Sequence, residues 1–76
     1  MKTAELAEVL GNMEEGELAS GAGIMGLPNC TCDLMVTRKR NAHPVDVEVE
    51  AEIEGISLGA YKIQGDHDDL KMERIR

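Results

Sequence analysis

The sequence of 76 residues contains no Phe and no Trp, and Tyr61 is its only aromatic residue. A hydrophobic core must therefore be built from Val, Ile, Leu, Met and Ala side chains. A chain of this length forms one small domain with a thin core, so its stability is marginal or shared with a partner. The lack of aromatic side chains also removes the stacking platforms with which many proteins bind single-stranded nucleic acid.

Basic residues are scarce, since eight Lys and Arg stand against fifteen Asp and Glu and give a formal charge of −7. Negative charge of this size argues against direct binding to nucleic acid or to an anionic membrane, and it favours a basic protein partner. Solubility alone is a second explanation of the acidic composition.

Long apolar runs are absent as well, so no membrane span is predicted. Glu5 and Glu8 interrupt the apolar residues after Met1, and no signal peptide is expected. We therefore expect a cytoplasmic protein, in which the two cysteines, Cys30 and Cys32, stay reduced.

The clearest pattern that is present lies between Val45 and Glu54, where apolar and acidic residues alternate without a break. Successive side chains of a strand point to opposite faces, so this pattern predicts a strand with one apolar face and one acidic face. The apolar face carries Val45, Val47, Val49, Ala51 and Ile53, and the acidic face carries Asp46, Glu48, Glu50, Glu52 and Glu54.

The first half of the chain reads as a helix over residues 3–13 and a Gly-rich connection over residues 14–29. Leu6, Leu10 and Met13 follow helical spacing and form an apolar stripe. Within the connection, Glu17 to Ser20 could form a helical turn. The connection is interpreted as a loop that covers one end of the core, with ordering on a partner as the alternative.

The second half reads as a sheet over residues 30–76. A strand from Cys30 to Arg40 and the acidic strand form an antiparallel hairpin around the turn at residues 41–44. Arg38 or Arg40 would then lie near Asp46 and Glu48.

Gly55 interrupts the alternation, either as a bulge or as a tight turn into a third strand that resumes with Ile56, Leu58 and Ala60. Residues 65–69 are predicted to form a loop, and residues 70–76 an edge strand whose charges guard it against unwanted pairing. The fold class is α+β: one short amino-terminal helix packed on a small three- or four-stranded antiparallel sheet.

The acidic row is the candidate partner-binding site. Its ordinary explanation is the solvated outer face of a half-buried strand, but that does not explain why all five outward residues are acidic. The functional interpretation is charge mimicry, because neighbouring carboxylates stand about 6.6 Å apart and could occupy a groove built for a phosphate backbone. A third interpretation makes the acids the rim of a self-association surface.

Cys30 and Cys32, with His43 and His67, are weak candidates for a metal site. Their spacing matches no zinc motif, so no metal or other cofactor is predicted. The Gly-x-Gly-x-x-Gly letters at residues 21–26 are not preceded by a strand, and Asp66-His67-Asp68-Asp69 lacks the spacing of a calcium loop. No catalytic constellation can be assembled, and we do not expect an enzyme.

The resulting expectation is a small acidic inhibitor of a basic, nucleic-acid-handling partner. In size and charge alone, the chain resembles the inhibitors that phages and mobile elements carry against host nucleases, including anti-CRISPR proteins. One alternative is a homodimeric structural or regulatory module that pairs edge strands or apolar patches. Another is a small metal-binding protein that uses Cys30, Cys32 and a His.

Overall fold

The computed structural model describes residues 3–19, 32–66 and 69–76. These residues form one helix, α1 (Thr3–Asn12), followed by the strands β1 (Leu18–Ala19), β2 (Asp33–Asn41), β3 (Val45–Ile53), β4 (Ile56–Asp66) and β5 (Asp69–Arg74). The helix confirms the predicted span to within one residue. Among the described residues, no helix combines the length and apolar character that a membrane crossing needs.

The strands form a single antiparallel sheet in the order β1-β2-β3-β4-β5, so each strand pairs with its neighbours along the chain. The α+β class is confirmed, but the sheet has five strands rather than three or four. The additional strand is β1, where Leu18 pairs with Met35 and Ala19 with Leu34. The expectation of a helical turn was wrong for Leu18 and Ala19, because the backbone there pairs with the edge of β2. The rest of the Gly-rich connection, residues 20–29, lies outside the described residues.

The core lies between α1 and one face of the sheet. Helix α1 contacts β3, β4 and β5 through Leu6, Ala7 and Leu10, which are all fully buried, and Met13 follows just after the helix. Four of the five odd-numbered apolar side chains of β3 lie in the core, as the alternation predicted, and Ile53 does not. The buried residues of the sheet and of the residue before β2 are Cys32, Leu34, Val36, Val45, Val47, Val49, Ala51, Tyr61, Ile63 and Leu70.

Two residues attach the carboxyl end of α1 to the sheet. A side chain at Gly11 would come within 2.9 Å of the Ala42 carbonyl oxygen, so glycine allows the β2–β3 turn to approach the helix closely. Lys39 Nζ donates hydrogen bonds to the carbonyl oxygens of Gly11 at 3.0 Å and Met13 at 2.8 Å. Carbonyl groups at a helix carboxyl end have no partner within the helix, and Lys39 supplies one from β2.

The β3–β4 connection is a two-residue turn formed by Glu54 and Gly55, with Ile53 paired to Ile56. Both turn residues have positive φ, 51° for Glu54 and 80° for Gly55, as the mirror-image hairpin turns require. Glu54 was therefore wrongly predicted as the last member of a straight strand. Ile53, which was expected in the core, is 38% exposed because it lies at the end of the sheet beyond the helix.

A bulge in β4 shifts the phase of its alternation. Ala51 pairs with Gly59, while the next residue, Glu52, pairs with Ser57. Leu58 is therefore an extra residue, and after it Tyr61 and Ile63 face the core instead of Ala60 and Lys62. Of the two interpretations of Gly55, the tight turn into a third strand is confirmed, and the continuation of one strand past a bulge is wrong.

Replacing Lys39 with Met should lower the free energy of unfolding by about 1–3 kcal/mol, because two carbonyl groups at the end of α1 lose a charged donor. Chemical denaturation followed by circular dichroism measures this change. Arg38→Met is the matched control, since Arg38 is exposed and the change should stay within about 0.5 kcal/mol. Equal losses in both variants would show that Lys39 does not hold the helix to the sheet.

Candidate binding surface on the outer face of the sheet

The face of the sheet opposite α1 carries the acidic side chains of β3. Asp46, Glu48, Glu50 and Glu52 alternate with buried residues and are partly exposed, as predicted. Because β3 is the middle strand and is paired on both sides, its backbone holds these carboxylates at a regular spacing of about 6.6 Å. Glu54 belongs to the turn and is not part of this row, and we call the four residues of β3 the acidic row.

Arginines of the same chain pair with three members of the acidic row. Arg40 Nη1 lies 2.7 Å from Glu48 Oε2 and 4.0 Å from Asp46 Oδ1, and Arg76 Nη2 lies 3.5 Å from Glu50 Oε1. The contact between Arg40 and Asp46 is too long for a hydrogen bond, and Asp46 Oδ1 is buried without a hydrogen-bond partner among the described residues. The predicted proximity of Arg40 to Asp46 and Glu48 is confirmed.

The strand register places opposite charges next to each other across four strands. Arg38 of β2 lies opposite Glu48, Glu48 opposite Lys62 of β4, and Lys62 opposite Glu73 of β5. A concave region of about 480 Å³ lies on this part of the face and is lined by Arg40, Glu48, Lys62, Glu73, Arg74 and Ile75. The side chains that line it supply charge of both signs and no nucleophile of the Ser or Cys type.

The acidic row is least compensated at its carboxyl end. Glu52 lies opposite Asp33, another acid, and has no ion pair within the described part of the chain. The adjoining turn adds Glu54, whereas the exposed Ile56 lies opposite Ile53 and hence on the helix side of the sheet. The row is therefore balanced near Glu48 and anionic near Glu52.

Sequence reasoning did not find Lys62 and Arg76 as neighbours of the row. Lys62 reaches the outer face only because of the bulge at Leu58, since an unbroken register from the tight turn would place Tyr61 opposite Glu48. Apolar residues fall at even positions from Ile56 and at odd positions from Tyr61, and this change in the alternation indicates a bulge between them. Arg76 lies two residues beyond the end of β5, and no local pattern links it to Glu50.

The weak metal candidates are not brought together where the structure describes them. Cys32 is buried just before β2 and His43 is exposed beyond its other end, so the length of β2, roughly 26 Å at the rise of an extended strand, lies between them. Within residues 3–19, 32–66 and 69–76, no three His, Cys, Asp or Glu side chains are placed to hold a metal ion. Cys30 and His67 lie outside the described residues.

Two of the acids near residue 67, Asp66 and Asp69, belong to strands. Gly65 and Asp66 end β4 and Asp69 begins β5, with Asp66 paired to Asp69, so the predicted loop over residues 65–69 was too long. Gly65 has a φ of 128°, and a side chain there would collide with the Asp69 carbonyl oxygen. Glycine is what permits the strands to remain paired as far as Asp66 and Asp69.

Comparison with models of protein families, with curated proteins and with solved structures found no match.

Replacing Glu48 with Gln should lower stability by about 0.2–1 kcal/mol, because its ion pair with Arg40 at 2.7 Å outweighs the repulsion from acids about 6.6 Å away. Glu52→Gln should instead raise stability by roughly 0.2–0.5 kcal/mol, because Glu52 faces another acid. Thermal unfolding at low ionic strength measures both changes. Both changes in stability should be smaller in 1 M salt, where charges are screened over a distance of about 3 Å. Changes of the same sign would contradict this charge balance.

Proposed function

We propose that this chain is a non-enzymatic binding protein that inhibits a basic, nucleic-acid-handling partner by presenting the acidic row to it. The observation that supports this proposal is the placement of four carboxylates at strand spacing on the open face of the middle strand. The partner would be a cytoplasmic nuclease or a related complex, and the contact would need no nucleic acid, membrane or cofactor.

The arginines that pair with the row do not close it to a partner. The Arg40 side chain is 36% exposed and the Arg76 side chain 69% exposed, while the acidic side chains with which they pair are 23–27% exposed. Exposed ion pairs contribute only about 0.2–1 kcal/mol, so a positively charged groove can replace them at small cost. Binding would begin near Glu52, where compensation is weakest, and charge attraction would speed the encounter.

A phosphate-binding groove suits this surface because its lysines and arginines are arranged to meet a regular series of anions. The Arg guanidinium binds a carboxylate with two parallel hydrogen bonds, as it does a phosphate. The complex should weaken as salt is raised, because it depends on charge contacts of the kind that the partner makes with phosphates.

Neutralising the row should abolish inhibition. The triple variant Glu48→Gln, Glu50→Gln and Glu52→Gln is compared with the control Glu8→Gln, Glu14→Gln and Asp66→Asn, which changes net charge equally at exposed sites outside the row. Gel shifts with a panel of guide-RNA-loaded CRISPR nucleases and DNA-binding repressors measure whether the protein displaces DNA. Only the row variant should lose displacement, by about a hundredfold if each of the three lost ion pairs with the partner contributes about 1 kcal/mol. Equal loss in both variants would leave net charge alone as the cause and reject the row as the site.

Removing an internal counter-ion should have the opposite effect. Arg76→Gln frees the Glu50 carboxylate, so the variant should displace DNA several-fold more strongly than the native chain. Lys71→Gln is the matched control, because Lys71 is exposed on β5 and forms no ion pair within the described part of the chain. Unchanged displacement by the Arg76 variant would indicate that the partner does not contact Glu50.

A further inference from the structure

Strand β5 is an edge of the sheet, and its backbone is hydrogen-bonded on one side only. Six residues, Asp69–Arg74, pair with β4, and no other strand of the described chain covers the outer side. An uncovered edge of this length can pair with another strand. The opposite edge, β1, has only two residues and offers a much shorter template.

The hydrogen bonds at the end of β5 show which backbone groups face outward. The Ile75 N–H donates to the Ala60 carbonyl oxygen at 2.8 Å, so Ile75 bonds toward β4. Inward and outward bonding alternate along an antiparallel strand, and Asp69, Lys71 and Glu73 therefore also bond toward β4. The N–H and C=O groups of Leu70, Met72 and Arg74 are directed to the open edge.

The side chains of this edge are exposed charges of alternating sign. Lys71 and Glu73 are exposed on the outer face, and neither forms an ion pair within the described part of the chain. Charges of a single sign would repel a second copy in every register. Alternating signs leave a register in which two copies attract each other.

We propose that β5 pairs antiparallel with β5 of a second copy of this chain, about a two-fold axis at Met72. In this register Met72 faces Met72 of the second copy, and Leu70 faces Arg74 of the second copy. These are the residues whose backbone groups are directed outward, so the pairing forms complete hydrogen-bonded pairs. Lys71 then lies opposite Glu73 of the second copy, twice by symmetry, and the two sheets join into one.

Neighbouring registers are disfavoured by charge. An axis through Lys71 would oppose Lys71 to its own copy and Asp69 to Glu73, and an axis through Glu73 would oppose that acid to itself. The register at Met72 also continues the charge sequence of the outer face. Across the strands, the charges then alternate in sign from Arg38 through Glu48, Lys62 and Glu73 to Lys71 of the second copy.

The apolar side of the edge favours the same axis. Met72 is half-buried and packs against the core from the helix side of the sheet. Pairing would place the two Met72 side chains in contact and bury them further. A thin core without Phe or Trp gains stability from such an extension.

Charge variants test the register. Sedimentation velocity at protein concentrations up to about 1 mM should show a dimer for the native chain. Lys71→Glu and Glu73→Lys should each weaken the dimer about tenfold or more, because each variant opposes like charges twice. An equal mixture of the two variants should restore the dimer, since every glutamate then faces a lysine. A native chain that stays monomeric overturns the proposal, and so does a mixture that fails to dimerise.

Backbone variants test the edge itself. Met72→Pro removes an N–H that faces outward, so it should abolish the dimer and leave the pairing of β5 with β4 intact. Met72→Val keeps the N–H and should still dimerise. Circular dichroism confirms that each variant is folded. A dimer that survives in folded Met72→Pro would show association through another surface, such as the outer face, and would reject pairing at β5.

Discussion

The structure depends on the strict two-residue period of β3, the middle strand of the sheet. Its odd-numbered residues from Val45 to Ala51 are buried against the layer that contains α1, and its even-numbered residues are acids on the opposite face. A shift of one residue would put carboxylates in the core and valines in water, so the pairing register of β3 is strongly determined. The strands on both sides are positioned by that register.

The same period sets an electrostatic requirement, because a row of acids in the middle of a sheet repels itself. Arg40 and Arg76 in the flanking segments offset this repulsion through ion pairs with the row, and Lys62 offsets it from its position opposite the row. The negative charge of the row is compensated unevenly, since Glu52 lies opposite Asp33 rather than opposite a basic residue. A surface that needed only solubility would be served by mixed charges along the strand. The retained anionic end is what makes a basic partner the best-supported proposal.

Local patterns in the sequence were sufficient for most of the fold and for part of the surface. The helix, the acidic strand and the proximity of Arg40 to Glu48 follow from periodicity and hairpin geometry. The two-residue strand β1 was missed because its pairing with β2 is a tertiary contact without periodicity of its own. The outward position of Lys62 was missed because a single extra residue, Leu58, inverts the alternation beyond it. Register is cumulative along a hairpin, so one bulge displaces every later pair.

The order of the strands also bears on how the chain reaches its native state. Every pairing in the sheet joins segments that are adjacent in the sequence, and the β3–β4 hairpin closes over only Glu54 and Gly55. Short closures cost little chain entropy, so the ladders can form successively outward from that turn. A meander of this kind avoids the long-range crossovers that slow the assembly of other β-rich proteins. Folding speed is in this sense a property of the topology, independent of what the acidic face binds.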